Sequence, residues 1–274
     1  MRCASLFCSL SSLLVLAACG GDPIRAELDA STPSDAAPLD AYVALDAPAP
    51  IDAAPRLDAR DDAALPGDAG PPAFGTIVGT CGTVAAELDE ADPSFVLVRF
   101  DFADDAFDDP EERPLLTAGA QEILAEGTAG GSSGISEAFA FEVLARCEGA
   151  SLVKTETEIA YDPPTSKKTD ILVAIDGMQV GVSVTRAVTF PPTEPYTTER
   201  AMFIEGKLDD ILESSANVVA EDSWVKQLLV VMAYGDMHAE SIRTVWEGLD
   251  AETRADTVLY VVVTDGADDI VYFE

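Results

Sequence analysis

The chain is poor in histidine and in positive charge. His238 is its only histidine, and 16 Lys and Arg stand against 50 Asp and Glu, a formal net charge of −34. One imidazole with so few thiols beside it excludes the usual ligand sets of a zinc site. A surface so short of cations cannot present the basic face that grips nucleic-acid phosphates, so tight nucleic-acid binding is not expected. The balance favours solubility, cation binding or a basic partner. Long apolar runs are scarce as well. Past residue 18 the longest are 228–233 and 258–263, the length of strands and not of a membrane span. No phosphate-cradling glycine loop, dinucleotide fingerprint or internal repeat is visible. Gly130-Gly131-Ser132-Ser133-Gly134 has the spacing of a serine-hydrolase nucleophile turn. That turn needs a strand before it, and residues 117–126 read as helix.

What is present begins with an apolar N-terminus. Arg2 is the only charge before residue 19, and residues 4–18 are apolar or small, densest at Leu13, Leu14, Val15 and Leu16. The run is too short to span a bilayer and fits the apolar region of a secretory signal. It ends in Leu16-Ala17-Ala18-Cys19-Gly20, which resembles the lipobox of bacterial lipoproteins. The resemblance implies cleavage after residue 18, a diacylglyceryl thioether on Cys19 and usually a third acyl chain, palmitate in type, on its amine. Two or more chains hold a protein stably at a membrane. Gly20 is not the Asp that retains lipoproteins in the inner membrane of enteric bacteria, so an extracytoplasmic, outer-membrane site is favoured over the cell membrane.

Residues 19–73 then form an Asp-, Ala- and Pro-rich segment with Tyr42 as its lone aromatic. Such a composition cannot bury enough apolar surface to offset its ordering entropy, and a disordered tether is expected. Residues 74–274 have the length of one compact domain and carry 39 acidic against 12 basic residues. Of the five cysteines, Cys3 and Cys8 leave with the signal and Cys19 takes the lipid. Cys81 and Cys147 remain as a pair in an oxidising compartment, and a disulfide between them is expected.

The domain reads as α/β. Residues 95–100 suggest a strand, 117–126 a helix and 135–148 a second helix that Gly149 ends. Three strands follow at 152–161, 169–175 and 179–188, the last two joined by the hairpin turn Asp176-Gly177. Residues 195–213 suggest a helix, 224–234 a strand, 237–249 a helix and 257–263 a strand. Asp265-Gly266 then turns the chain into a short strand at 270–273. From residue 135 this order gives a mixed-sheet α/β domain with an αβββαβ core.

Residues 135–234 resemble the core of the PD-(D/E)XK nuclease-like superfamily. That family sets a Glu on the first helix, an Asp near the second core strand and acid-x-Lys on the third. Glu137 matches the helix position, with Glu142 as the second choice, and Asp170 matches the strand position. The third motif is eroded: Ser183-Val184-Thr185 stands where acid-x-Lys is expected, followed by Arg186. The resemblance implies Glu137 and Asp170 as ligands of Mg²⁺ or Mn²⁺, with Lys207 from the following helix, or Arg186, as the cation near phosphate. Glu156 or Glu158 could replace the missing carboxylate. The eroded motif and the negative charge point to a non-catalytic domain that binds a partner or cation. A metal-dependent phosphodiesterase or nuclease with a rearranged site is the alternative. The plainer readings are a favourable charge at a helix start for Glu137 and a solvated strand end for Asp170. The acidic run at 101–109 lacks the order of a calcium-binding EF-hand and reads first as a solvated loop. His238 is expected near the start of a surface helix.

Overall fold

The computed structural model describes residues 72–128, 133–192 and 194–273. The expected signal segment, Cys19 and nearly all of the expected tether lie outside them, as do Gly130, Gly131 and Ser132 of the glycine–serine motif.

A seven-stranded mixed sheet organises the described residues. Its strands are β1 (Thr76–Gly79), β2 (Ser94–Asp101), β3 (Ser151–Thr155), β4 (Ile171–Ile175), β5 (Met178–Ala187), β6 (Lys226–Ala233) and β7 (Val258–Asp265). They lie in the order β1-β2-β7-β6-β5-β4-β3. Strands β2, β7, β6 and β5 run parallel, while β1, β4 and β3 each pair antiparallel with a neighbour. The sequence sets this arrangement. β6 and β7 are apolar on both faces, as strands covered on both sides must be, and they take the centre. Between β4 and β5, Asp176 (φ 50°) and Gly177 (φ 78°) are both left-handed, the turn whose twist suits a two-residue hairpin. Ile175 pairs with Met178 across it.

Helices cover both faces. They are α1 (Val84–Glu87), α2 (Ala118–Glu126), α3 (Gly134–Glu148), α4 (Thr198–Ala201), α5 (Phe203–Asn217), α6 (Asp236–Gly248), α7 (Ala251–Arg254) and α8 (Asp269–Phe273). Alternate residues of β6 divide between two cores. Leu228, Val230 and Met232 meet Phe139 and Val143 of α3 and Val271 of α8. Leu229, Val231 and Ala233 meet Ile204 and Leu208 of α5 and Ile242 and Trp246 of α6. Each fully buried Val, Leu, Ile, Phe or Met among them contributes about 1.5–3 kcal/mol relative to exposure. Five phenylalanines (Phe74, Phe100, Phe102, Phe107 and Phe139) pack together on the α3 side. Cys81 and Cys147 are disulfide-bonded, with Cα atoms 4.7 Å apart, and fasten the segment after β1 to the end of α3.

The run α3-β3-β4-β5-α5-β6 is the αβββαβ core expected from the sequence. Three elements differ. Residues 270–273 belong to α8, because β7 already has β2 on one edge and β6 on the other and leaves no edge for a returning strand. The first core strand stops at Thr155, whose N–H donates to the Glu158 carboxylate (3.0 Å) in a turn that takes the chain off the sheet. The helix expected over 195–213 divides at Met202 into α4 and α5, and α4 begins where the Thr197 hydroxyl accepts from the Arg200 N–H.

Candidate functional site

Glu137 lies in the first turn of α3, a helix covered on nearly every side, so a carboxyl one turn from its start is only 3% exposed. Burial is the main cause that raises its pKa; repulsion from Glu156 adds to this, while a hydrogen bond with Ser133 and the charge of Arg186 oppose it. Its placement is thus more than the solvated helix-start charge of the plainer reading.

Asp170 stands one residue before β4. Its N–H donates to the Val182 carbonyl (3.1 Å), and its Oδ2 accepts from the Val184 N–H at 2.5 Å. The side chain thereby takes up a strand N–H next to the last ladder pair and is pinned beside β5. Asp170 keeps partial contact with solvent, but its carboxyl is pushed up to about 7, first by burial, then by the charge of Glu137 and less by Glu156. The Val184 N–H and Lys207 act in the opposite direction. Glu137 and Asp170 therefore share one electrostatic site, with Glu156 close enough to act on both. Neither of the two joins an ion pair among the described residues.

The cations divide differently from the sequence expectation. Lys207 is exposed on α5, in the helix layer across the sheet from α3, and its effect on Asp170 is the smallest of the five named. Arg186 acts on Glu137, and its guanidinium donates to the Val271 carbonyl of α8 at 3.4 Å. Along β5, Ser183 and Val184 face opposite sides of the sheet. Ser183 turns away from Glu137: its hydroxyl lies 3.0 Å from that of Thr169, and the Gln227 amide donates to Thr169 at 2.7 Å. Val184 packs on the α3 side, and strand alternation puts Arg186 with it. The α3 side of β5 therefore carries Val184 and Arg186. Alternation counted from Val180, Val182 and Val184 was the sequence signal that could have found this.

Other candidates are occupied by structural work. Glu142 accepts from the Thr117 N–H and hydroxyl, both at 2.7 Å, and caps the start of α2. Glu158 holds the turn after β3. In the acidic run, Asp101 accepts from the Ala103 N–H and Asp109 from the Glu111 N–H, so these carboxylates fold their own loop. His238 is not on the surface as expected. It is 3% exposed between the rings of Tyr196 and Tyr234, and both ring nitrogens lack a hydrogen-bond partner. The first turn of α6 points it inward, toward the layer between helix and sheet, and burial lowers its pKa.

Among the described residues no three His, Cys, Asp or Glu side chains are arranged to hold a metal ion. The residues therefore do not fit a three-ligand nuclease centre, and no hydrolytic step follows from them. The pair matches the one or two carboxylates with which a Mg²⁺ that keeps most of its water is held. A cleft of about 480 Å³ opens beside the first turn of α3, lined by Phe107, Asp108, Asp109, Pro110, Arg113, Ile135 and Ile270. Glu137 and Asp170 are not among its lining residues. No helix among the described residues is long and apolar enough to cross a membrane.

Fold and site together define a three-layer α/β domain with an αβββαβ core and an acidic pair at the end of the sheet where β4 begins. No family model matches the chain. It is 40% identical over 154 residues to the AAC-rich mRNA clone AAC4 protein of Dictyostelium discoideum, a match that covers 54% of this chain and 22% of that protein. The chain thus spans about a fifth of that relative's length. Among solved structures, Pyrococcus furiosus SfsA in complex with Ca²⁺ is similar over 53% of this chain and 58% of that one, at 14% identity and a TM-score of 0.26. A likeness that slight assigns no function.

Proposed function

We propose that this protein is a lipid-anchored, extracytoplasmic lipoprotein whose PD-(D/E)XK-like domain binds a hydrated divalent cation at Glu137 and Asp170 without hydrolysing phosphodiesters. The observation that carries the reading is a pair of carboxyls, from α3 and from the start of β4, both raised mainly by burial, with the charge of Glu137 acting on Asp170 and neither in an ion pair among the described residues. Groups perturbed by burial and by a like charge cluster at functional sites, because a fold gains no stability from keeping them together. Val184 on the α3 side of β5 supports binding over catalysis. Titration calorimetry of the full chain with Mg²⁺ and with Mn²⁺ tests it. One site is expected, lost in Asp170→Asn and in Glu137→Gln, with no cleavage of plasmid or single-stranded DNA. Binding that both variants retain would overturn the assignment.

Arg186 favours a second reading, since it places a permanent cation on the face of Glu137. Metal-dependent cleavage by the wild type, absent in Arg186→Gln and in Asp170→Asn, would establish a hydrolase. The anchor rests on the lipobox-like run ending in Cys19. Cys19→Ser should move the protein from the membrane fraction to the soluble one, and retention of that variant at the membrane would remove the anchor.

A further inference from the structure

The sheet end that follows β5 and β6 carries two exposed phenylalanines, Phe190 and Phe273, that neither core absorbs. Phe190, three residues past β5, is 84% exposed. Its ring meets Phe273 of α8 edge to face at 6.2 Å, and Phe273 meets Tyr234, just past β6, at 5.9 Å. Phe273 is itself exposed at 39%. A solvent-facing phenylalanine gains nothing from water, and joined apolar rings on a surface mark a contact site. The charge around them is negative. Asp269 sits one helical turn before Phe273, on the same face of α8, and accepts from the Tyr234 hydroxyl at 3.4 Å. Glu194 flanks the loop that carries Phe190, while Asp236, at the start of α6, is taken up by Arg99. Of the nearby cations, Arg186 is turned inward onto the Val271 carbonyl and Arg99 is held by Asp236 and Asp265.

We propose that Phe190, Phe273, Tyr234 and Asp269 form a docking surface for an arginine- or lysine-bearing segment of a partner protein. A guanidinium or ammonium lies over the phenylalanine rings, drawn by their negative faces, and its charge pairs with Asp269. The aliphatic stem of the same side chain covers the apolar surface. Charge complementarity fixes this choice of occupant. A chain with a net charge of −34 repels nucleic acid and anionic lipid and attracts basic segments. The rings decide where on that acidic surface the segment settles.

Fluorescence anisotropy of a labelled arginine-rich peptide with the full chain, at physiological ionic strength, tests the assignment. Phe190→Ser and Asp269→Asn should each weaken binding about fivefold, the size of an exposed cation–π contact or ion pair. Leu212→Ser, on the distant face of α5, should leave it unchanged. Both variants are at exposed positions, and far-ultraviolet circular dichroism checks that they fold. The proposal fails if Phe190→Ser and Asp269→Asn bind as the wild type does, since general acidity would then hold the peptide. It also fails if Phe190→Ser instead converts a dimer to a monomer in sedimentation, or releases the full chain from phosphatidylcholine vesicles with peptide binding intact.

Discussion

Replacing Asp170 by Asn should make the protein more stable at alkaline pH. The carboxyl titrates near 3.8 in an unfolded chain and is raised to about 7 in the fold, mainly by burial and by Glu137. Between those values the folded state holds its proton more tightly than the unfolded state does. Stability therefore falls as pH rises from about 4 to about 7 and levels off above that. About three pH units at ~1.4 kcal/mol each would set a ceiling near 4 kcal/mol. Partial solvent contact and the sharing of the shift with Glu137 reduce the expected cost of the charge to about 1–3 kcal/mol. An asparagine keeps the carbonyl oxygen that accepts from the Val184 N–H and carries no charge. Urea unfolding of wild type and Asp170→Asn at about pH 5 and about pH 8 measures this. The curves should nearly coincide in acid, and the variant should gain about 1–3 kcal/mol in alkali. Excess Mg²⁺ should then stabilise only the wild type, through linkage to the folded state. A variant less stable than wild type at alkaline pH would refute the reasoning, because Asp170 would then be a net structural contact.

Three further outcomes follow from other parts of the fold. Cys147→Ser opens the disulfide to Cys81, which closes a sequence separation of 66 residues; a loss of roughly 4 kcal/mol is expected in chemical denaturation. His238→Phe removes two buried ring nitrogens without partners and should raise stability by about 1–2 kcal/mol. The imidazole's lowered pKa makes its neutral form the folded one, so wild-type stability is lost as pH falls below the histidine's ordinary range; thermal melts in mild acid should show the variant's advantage growing. Gly181→Ala places a methyl group 2.8 Å from the Trp224 ring and 3.0 Å from the Gln227 side chain. It should cost about 1–3 kcal/mol, and a neutral result would show that Trp224 can move aside.

Much of the architecture was legible because its signals are local. The apolar runs of β6 and β7 and the Asp176-Gly177 turn speak for themselves within a few residues. The αβββαβ order needed only element sequence, and the Cys81–Cys147 bond only the count of cysteines past residue 19. What escaped depends on neighbours far along the chain. A strand at 270–273 is reasonable until β2 is known to occupy the free edge of β7. His238 reads as a surface residue until Tyr196 and Tyr234 close over it. Glu137 and Asp170 could be singled out from the sequence, but which cation acts on Glu137, Arg186 and not Lys207, depends on which side of the sheet each element packs.

The pairing of β2 with β7 carries a consequence for biogenesis. Ser94 must wait for Val258, and Arg99 for Asp265, before the middle of the sheet can close. Until β7 emerges, β2 has only the short β1 to pair with, too little for independent stability. The strands β3, β4, β5 and β6 can pair in chain order, whereas the β1–β2 pair joins the sheet only when β7 supplies the strand between the two parts.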